Sequence, residues 1–165
     1  MKALILYRSH YGNTRQVSEA IAAELTSLGH TAAVQDLRRR LPELEGFDLI
    51  FIGAPTRMGR VTRRALRVLK RLRKRECTGK PIAVFDTYGP IPTKPKELEK
   101  ARKWIYPGAA GIMQDAAKAL GLNVYPSVLR CEVRGMKGPL VEGGLERVAA
   151  FTRDFVSAVG SKRAG

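Results

Sequence analysis

Residues 2–14 read Lys2-Ala3-Leu4-Ile5-Leu6-Tyr7-Arg8-Ser9-His10-Tyr11-Gly12-Asn13-Thr14, an apolar run that ends in a short polar loop. Residues 4–7 are apolar without period-two alternation, which is typical of a parallel strand buried on both faces. Apolar residues then recur at helical spacing, at Val17, Ile21, Ala22, Leu25 and Leu28, and Gly29 follows as a C-terminal stop. The stretch therefore predicts a strand, a tight loop over 9–14 and a helix.

The loop 9–14 has the features of a phosphate-binding turn. The first N–H groups of a helix have no intrahelical partner and lie at the positive end of its dipole, so they stabilise a phosphate. Ser9 and Thr14 add hydroxyl groups, Asn13 adds an amide, and Gly12 permits a close approach or a positive φ. The alternative is an ordinary strand-to-helix turn in which Ser9, Asn13 or Thr14 caps the helix.

The rest of the chain alternates strands and helices. Strands are predicted at 31–37, 47–53, 82–87 and 123–133, and helices at 61–75, 96–105, 109–120 and 142–159. The strand at 31–37 is weak and fits a sheet edge, and Pro126 indicates an edge or an interrupted ladder in the last strand. We expect one domain over 1–160, with an α/β fold and a parallel sheet between helices, and a frayed tail over 161–165. Loops 9–14, 54–60 and 87–92 follow strand ends, where ligands bind in such sheets.

The chain is strongly basic. It has 30 Lys and Arg residues against 15 Asp and Glu, which gives a formal net charge of +15 over 165 residues. The helix at 61–75 buries Val61, Ala65, Val68, Leu69 and Leu72, while Arg60, Arg63, Arg64, Arg67, Lys70, Arg71, Arg73, Lys74 and Arg75 cover most of its other faces. A single such arginine is explained by solvation and by packing of its stem on apolar surface. The group favours an anionic partner or cofactor, because so many like charges repel one another.

Several classes of protein do not fit the sequence. No apolar run reaches the length of a membrane span, and Met1-Lys2 leads directly into the first strand without room for a signal peptide, so we expect a cytoplasmic protein. Cys77 and Cys131 are far apart and belong to no CxxC pair. We therefore expect free thiols and no metal site.

Two motifs resemble those of a known family. Tyr7-x-Ser9-x-Tyr11-Gly12-Asn13-Thr14 is similar to the FMN-phosphate loop of flavodoxins. Ala54-Pro55-Thr56-Arg57-Met58-Gly59 resembles the corresponding loop of the flavodoxin-like NAD(P)H:quinone oxidoreductases of the tryptophan-repressor-binding-protein type. The element order matches over nearly the whole chain. The resemblance implies a doubly wound, five-stranded parallel sheet of order 2-1-3-4-5 with helices on both faces.

The resemblance also implies noncovalent FMN. Its phosphate would be held by Ser9, His10, Tyr11, Gly12, Asn13 and Thr14, and its ring would lie between Pro55, Thr56, Arg57, Met58 and Gly59 on one side and Thr87, Tyr88 and Gly89 on the other. A flavin ring needs flat apolar cover, and the cofactor itself supplies the electron chemistry. Met58 and Tyr88 fit that role, as do Trp104 and Tyr11, for which core packing is the alternative. His10 is a weak candidate for a proton donor and is more simply a bystander.

Three functions remain open at this point. The favoured one is an FMN-dependent oxidoreductase that takes hydride from NAD(P)H and passes electrons to a quinone or similar small acceptor, with Arg57 stabilising the anionic reduced flavin. The second is a flavodoxin-type one-electron carrier that docks on an acidic protein. The third is a flavin-free module that binds nucleic acid, although the sequence has no recognition helix or aromatic-interleaved RNA motif. A homo-oligomer in which residues 93–108 complete a neighbour's flavin site is also compatible with the sequence.

Overall fold

The computed structural model describes residues 1–75 and 77–164, which form a three-layer α/β/α arrangement. The elements are β1 (Lys2–Tyr7), α1 (Asn13–Ser27), β2 (Thr31–Asp36), β3 (Leu49–Pro55), α2 (Arg63–Lys74), a 3-10 turn (Cys77–Gly79), β4 (Ile82–Tyr88), α3 (Pro95–Ile105), α4 (Gly108–Ala119), β5 (Leu129–Glu132) and α5 (Gly144–Ala164).

The five strands form one parallel sheet in the order β2-β1-β3-β4-β5, as the resemblance implied. Alternate residues of the central strands pack on opposite sides: Leu4 and Leu6 of β1 join the core beneath α2 and α4, whereas Ala3 and Ile5 join the core beneath α1 and α5. This two-sided burial explains the continuous apolar runs in the sequence. The order reverses between β1 and β3, which opens a crevice at their carboxyl ends.

Two predicted strands need correction. β3 continues to Pro55, so Ala54 and Pro55, predicted in a loop, pair with β4. The strand predicted over 123–133 is confined to Leu129–Glu132, apart from an isolated bridge between Val124 and Ile82. The ladder is interrupted around Pro126, which has no N–H to donate, and β5 lies at the sheet edge, as this proline indicated.

Helix bounds also differ from the predictions. α2 begins at Arg63 rather than at residue 61, and α5 continues to Ala164. The last helix therefore continues past its predicted end at residue 159, and residues 161–164 belong to α5; Gly165 lies outside the described residues. Leu28 and Leu145 are exposed because they lie at a helix end and in a first turn. None of the described helices combines the length and the apolar composition needed to cross a bilayer.

Both thiols are free and buried. Burial raises the pKa of Cys77, and it raises the pKa of Cys131 to about 12. Because the thiolate is the reactive form, we expect Cys131 in the native protein to react with Ellman's reagent at pH 8 at least about a hundredfold more slowly than free cysteine. After unfolding in guanidinium, both thiols should react at the rate of free cysteine. Rapid reaction of both without denaturant would contradict the burial described here.

Candidate functional site

A cavity of about 510 Å³ opens at the carboxyl ends of β1, β3 and β4, a volume typical of small-molecule pockets. Three strand-end loops, α3 and the segment after β5 contribute its walls: Ser9, His10, Tyr11, Asn13, Thr14, Pro55, Thr56, Arg57, Met58, Thr87, Tyr88, Gly89, Pro90, Ala101, Trp104, Ile105, Val133 and Met136. The structure thus brings together every residue predicted for the site except Gly12 and Gly59, which do not line the cavity.

The loop after β1 presents the N-terminus of α1. Gly12 is the N-cap residue, with φ of 96°, and its carbonyl accepts the first helical hydrogen bond from the Gln16 N–H at 2.9 Å. The N–H groups of Asn13, Thr14 and Arg15 therefore have no intrahelical acceptor. No side chain caps this helix, since Ser9 Oγ accepts from the Gly12 N–H at 3.0 Å instead. The capping alternative is wrong, and the helix end keeps its donors and positive dipole for an anion.

Thr14, which was predicted for the phosphate site, lines the cavity and also links two of its loops. Its side chain is buried, and its hydroxyl lies 2.8 Å from the hydroxyl of Thr87 at the end of β4. Ser18 Oγ donates to the Thr14 carbonyl at 2.8 Å, which holds the first turn of α1 in place. The Thr14 hydroxyl thus couples two of the three loops at the base of the cavity.

Residues 57–60 form a tight hairpin turn. The N–H and carbonyl of Arg57 exchange hydrogen bonds of 3.0 and 2.9 Å with those of Arg60. Met58 and Gly59 between them have φ values of 49° and 71°, the positive signs of a type I′ turn. A Cβ at Gly59 would lie 2.4 Å from the Lys103 carbonyl oxygen. Gly59 therefore lets the hairpin pack against α3, and Met58 remains 71% exposed at the cavity mouth.

Aromatic side chains surround the opening. Tyr88 lies beneath the Arg130 guanidinium, whose central carbon is 4.4 Å from the ring centroid. Trp104 of α3 and Tyr11 are each 44% exposed, so neither is a core residue, and both line the cavity. Tyr11 also contacts His10 edge-on, with ring centroids 4.7 Å apart. The opening therefore offers flat apolar surfaces to a planar ligand.

A buried polar network lies at the base of the cavity. Asp86 of β4 is fully buried and accepts from Arg130 Nε at 3.0 Å, from the Thr56 hydroxyl at 2.8 Å and from the Ala110 N–H at 3.1 Å. Thr56 Oγ1 accepts in turn from the Ala109 N–H at 2.7 Å. Burial raises the pKa of the Asp86 carboxyl, and the Arg130 guanidinium opposes that shift. The network joins the ends of β3, β4 and β5 to the N-terminus of α4.

Sequence reasoning missed this network and part of the wall. Asp86 interrupts an otherwise apolar strand, and a charged residue at a buried position is the signal that could have identified it. No comparable feature of the sequence around Arg130 marks it as part of the network. The missed wall residues, which are Pro90, Ala101, Ile105, Val133 and Met136, are mostly apolar. Pro90 belongs to the predicted loop 87–92, whereas the other four come from segments that only the fold brings to the cavity.

The residues present fit a flavin mononucleotide. The α1 N-terminus offers backbone donors of the kind that bind a phosphate, and the rest of the wall is mostly apolar. No aspartate or glutamate lines the cavity among the described residues, so no carboxylate there opposes a bound phosphate.

Comparison with known sequences gives one family and several partial relatives. Residues 4–120 match the family model described as the flavodoxin domain. A 60-residue stretch is 40% identical to protoporphyrinogen IX dehydrogenase [quinone] of Escherichia coli strain K12, covering 36% of this chain and 33% of that protein. An 81-residue alignment with NAD(P)H dehydrogenase (quinone) of Acidovorax ebreus strain TPSY is 32% identical and covers 36% of this chain and 40% of that one. The chain thus matches only about a third of the first relative's length.

Solved structures resemble the whole chain. A flavodoxin from the domain Archaea superposes with a TM-score of 0.75 at 22% identity, covering 97% of this chain and 99% of that one. Flavodoxin 2 from Bacillus cereus gives 0.72 at 22% identity, with 96% and 99% covered. The flavodiiron core Flv1 of Synechocystis sp. PCC6803 gives 0.72 at 17% identity, with 100% of this chain and 37% of that chain covered. At these identities the comparison supports the fold alone.

Proposed function

The chain belongs to the flavodoxin domain family, and on that basis we propose that it binds FMN noncovalently and acts as an oxidoreductase. In this proposal the donor is NAD(P)H and the acceptor is a quinone or a similar small molecule. The flavin supplies the hydride and electron chemistry, and the protein supplies binding, orientation and electrostatics.

The observation that carries the proposal is the convergence of three unlike surfaces on one cavity. Backbone donors at the α1 N-terminus suit a phosphate, Tyr88 and Trp104 suit a planar ring, and the exposed Met58 marks an open side through which a second substrate can approach. The quinone in the names of the partial relatives supports this choice of acceptor.

Each part of the site has a defined task in this scheme. The N–H groups of Asn13, Thr14 and Arg15 hold the phosphoryl oxygens, and the Ser9–Gly12 hydrogen bond fixes the loop around them. Arg57, which lines the cavity, stabilises negative charge on the reduced ring. We assign no side chain as an acid or a nucleophile.

Steady-state turnover tests the proposal. FMN-loaded protein should oxidise NADPH or NADH with a benzoquinone at least about a hundredfold faster than free FMN at the same concentration. Protein without added flavin and flavin without protein are the controls. A rate no higher than that of free FMN would contradict the proposed oxidoreductase function.

A one-electron carrier is the second candidate, because the structural similarity to flavodoxins extends over nearly the full chain. The net charge of +15 suits an acidic protein partner for such a carrier. A redox titration separates the two functions: a carrier should give two well-separated one-electron potentials, whereas the proposed oxidoreductase should give one two-electron step.

A further inference from the structure

A second cavity of about 480 Å³ lies next to the first. Its lining residues are Arg57, Met58, Arg60, Val61, Thr62 and Trp104. Arg57, Met58 and Trp104 line both cavities, so the two spaces are neighbours across the 57–60 hairpin and α3. A molecule that places a ring in the first cavity can extend another group into the second.

Two arginines of one hairpin, Arg57 and Arg60, line this second cavity. The backbone exchange between Arg57 and Arg60 makes them a directly opposed pair, and both residues are exposed. Like charges in such a pair destabilise the hairpin unless something compensates them. Within residues 1–75 and 77–164, neither guanidinium forms an ion pair with a carboxylate. An oxyanion between them would supply that compensation, since guanidinium binds carboxylate and phosphate through paired hydrogen bonds.

The N-terminus of α2 adds to the positive potential. Thr62 is the N-cap residue and lines the cavity, but its side chain does not cap the helix. Its Oγ1 is buried and has no hydrogen-bond partner among the described residues. The first turn of α2 contains no acidic residue and begins with Arg63 and Arg64. The positive end of this twelve-residue helix therefore has no acidic side chain in its first turn, and the Thr62 hydroxyl has no hydrogen-bond partner among the described residues.

We infer that the second cavity binds an oxyanion carried by the electron donor or acceptor, with Arg57 and Arg60 as its ligands. The oxyanion is a phosphate of a nicotinamide dinucleotide or a carboxylate of a flat aromatic substrate, whose apolar body lies over Met58 and Trp104. The link to a redox substrate rests on the proposed function, whereas the oxyanion site itself rests on this cavity.

Calorimetry on the full chain, without turnover, tests the oxyanion site. The probes are 2′,5′-ADP with adenosine as its neutral counterpart, and 2-naphthoate with 2-naphthamide as its neutral counterpart. We expect at least one anion to bind, and Arg60→Gln to weaken that binding about tenfold or more while leaving the neutral probe unchanged. Arg60→Lys keeps the charge without the forked geometry, so its affinity for the anion should lie between those of wild type and Arg60→Gln. A response in the 2′,5′-ADP arm assigns the site to the dinucleotide, and one in the 2-naphthoate arm assigns it to the aromatic substrate.

Arg73→Gln is the matched control. It removes the same charge from an exposed position of α2 that does not line the cavity, so it should change anion affinity less than about twofold at 0.15 M salt. Equal losses in Arg60→Gln and Arg73→Gln, or no binding of either anion, would overturn the inference. Anion binding without NAD(P)H turnover would support the oxyanion site and contradict the proposed function. Turnover without anion binding would support the proposed function and contradict the oxyanion site.

Discussion

Ser9→Asp is expected to weaken FMN binding by about a hundredfold or more. Ser9 lines the main cavity, and its Oγ accepts from the Gly12 N–H at the start of α1. An aspartate retains an acceptor for that N–H but places a negative charge beside the proposed phosphate. Two like charges about 4 Å apart repel by roughly 1–4 kcal/mol between bulk water and a protein surface, and a phosphomonoester carries nearly two charges. The measurement is the FMN dissociation constant, from quenching of flavin fluorescence or from calorimetry.

Ser9→Asn and riboflavin control this experiment. Asparagine has nearly the shape of aspartate and also offers an acceptor oxygen, so the FMN dissociation constant of Ser9→Asn should be within a few fold of the wild-type value. Riboflavin lacks the phosphate, so its affinity should change little in Ser9→Asp. Equal losses for riboflavin and FMN would indicate a distorted loop rather than repulsion, and unchanged FMN affinity would place the phosphate elsewhere.

Arg130→Met is expected to lower the free energy of unfolding by about 3–5 kcal/mol at pH 7, because it leaves a fully buried carboxylate without its cation. The substitution also removes the hydrogen bond from Arg130 Nη2 to the Ile105 carbonyl, at 2.7 Å. For a domain of this size such a loss corresponds to a decrease of about 6–20 °C in Tm. Denaturant unfolding or calorimetry provides the measurement.

The loss of unfolding free energy in Arg130→Met should depend on pH. Burial already raises the pKa of Asp86, and loss of the opposing guanidinium should raise it further. A carboxyl whose folded pKa lies above its unfolded value contributes stability below the unfolded pKa, and loses that contribution as pH rises through the folded pKa. The difference from wild type should therefore be largest near pH 7 and shrink towards about pH 4, the ordinary pKa of Asp, where the raised folded pKa leaves the carboxyl mainly protonated in both proteins.

Arg134→Met is the control for this second experiment. Arg134 is exposed and forms no ion pair among the described residues, so the same change of side chain should alter stability by less than about 0.5 kcal/mol. A similar small effect in Arg130→Met, or a deficit independent of pH, would show that the ion pair with Asp86 does not stabilise the fold.

The loops of the site were predictable because their signals are local. A strand followed by a polar turn and a helix places 9–14 at a strand end, and the same holds for the residues after β3 and β4. The errors arose where long-range packing decides. β5 is short because the chain leaves the ladder around Pro126, and Ala54 and Pro55 pair with β4 instead of lying in the predicted loop.

By itself the sequence determined the alternation of strands and helices, the buried central strands, the basic surface and the loops that meet at one edge of the sheet. These follow from periodicity, glycine and proline positions and charge, all of which act over a few residues. Only the tertiary structure decided that Arg130 compensates Asp86, that Thr14 bonds to Thr87 rather than standing free, and that Arg57 and Arg60 share a second cavity with Trp104. Each of these contacts joins segments of different elements, so its energy depends on distances that only the folded chain sets.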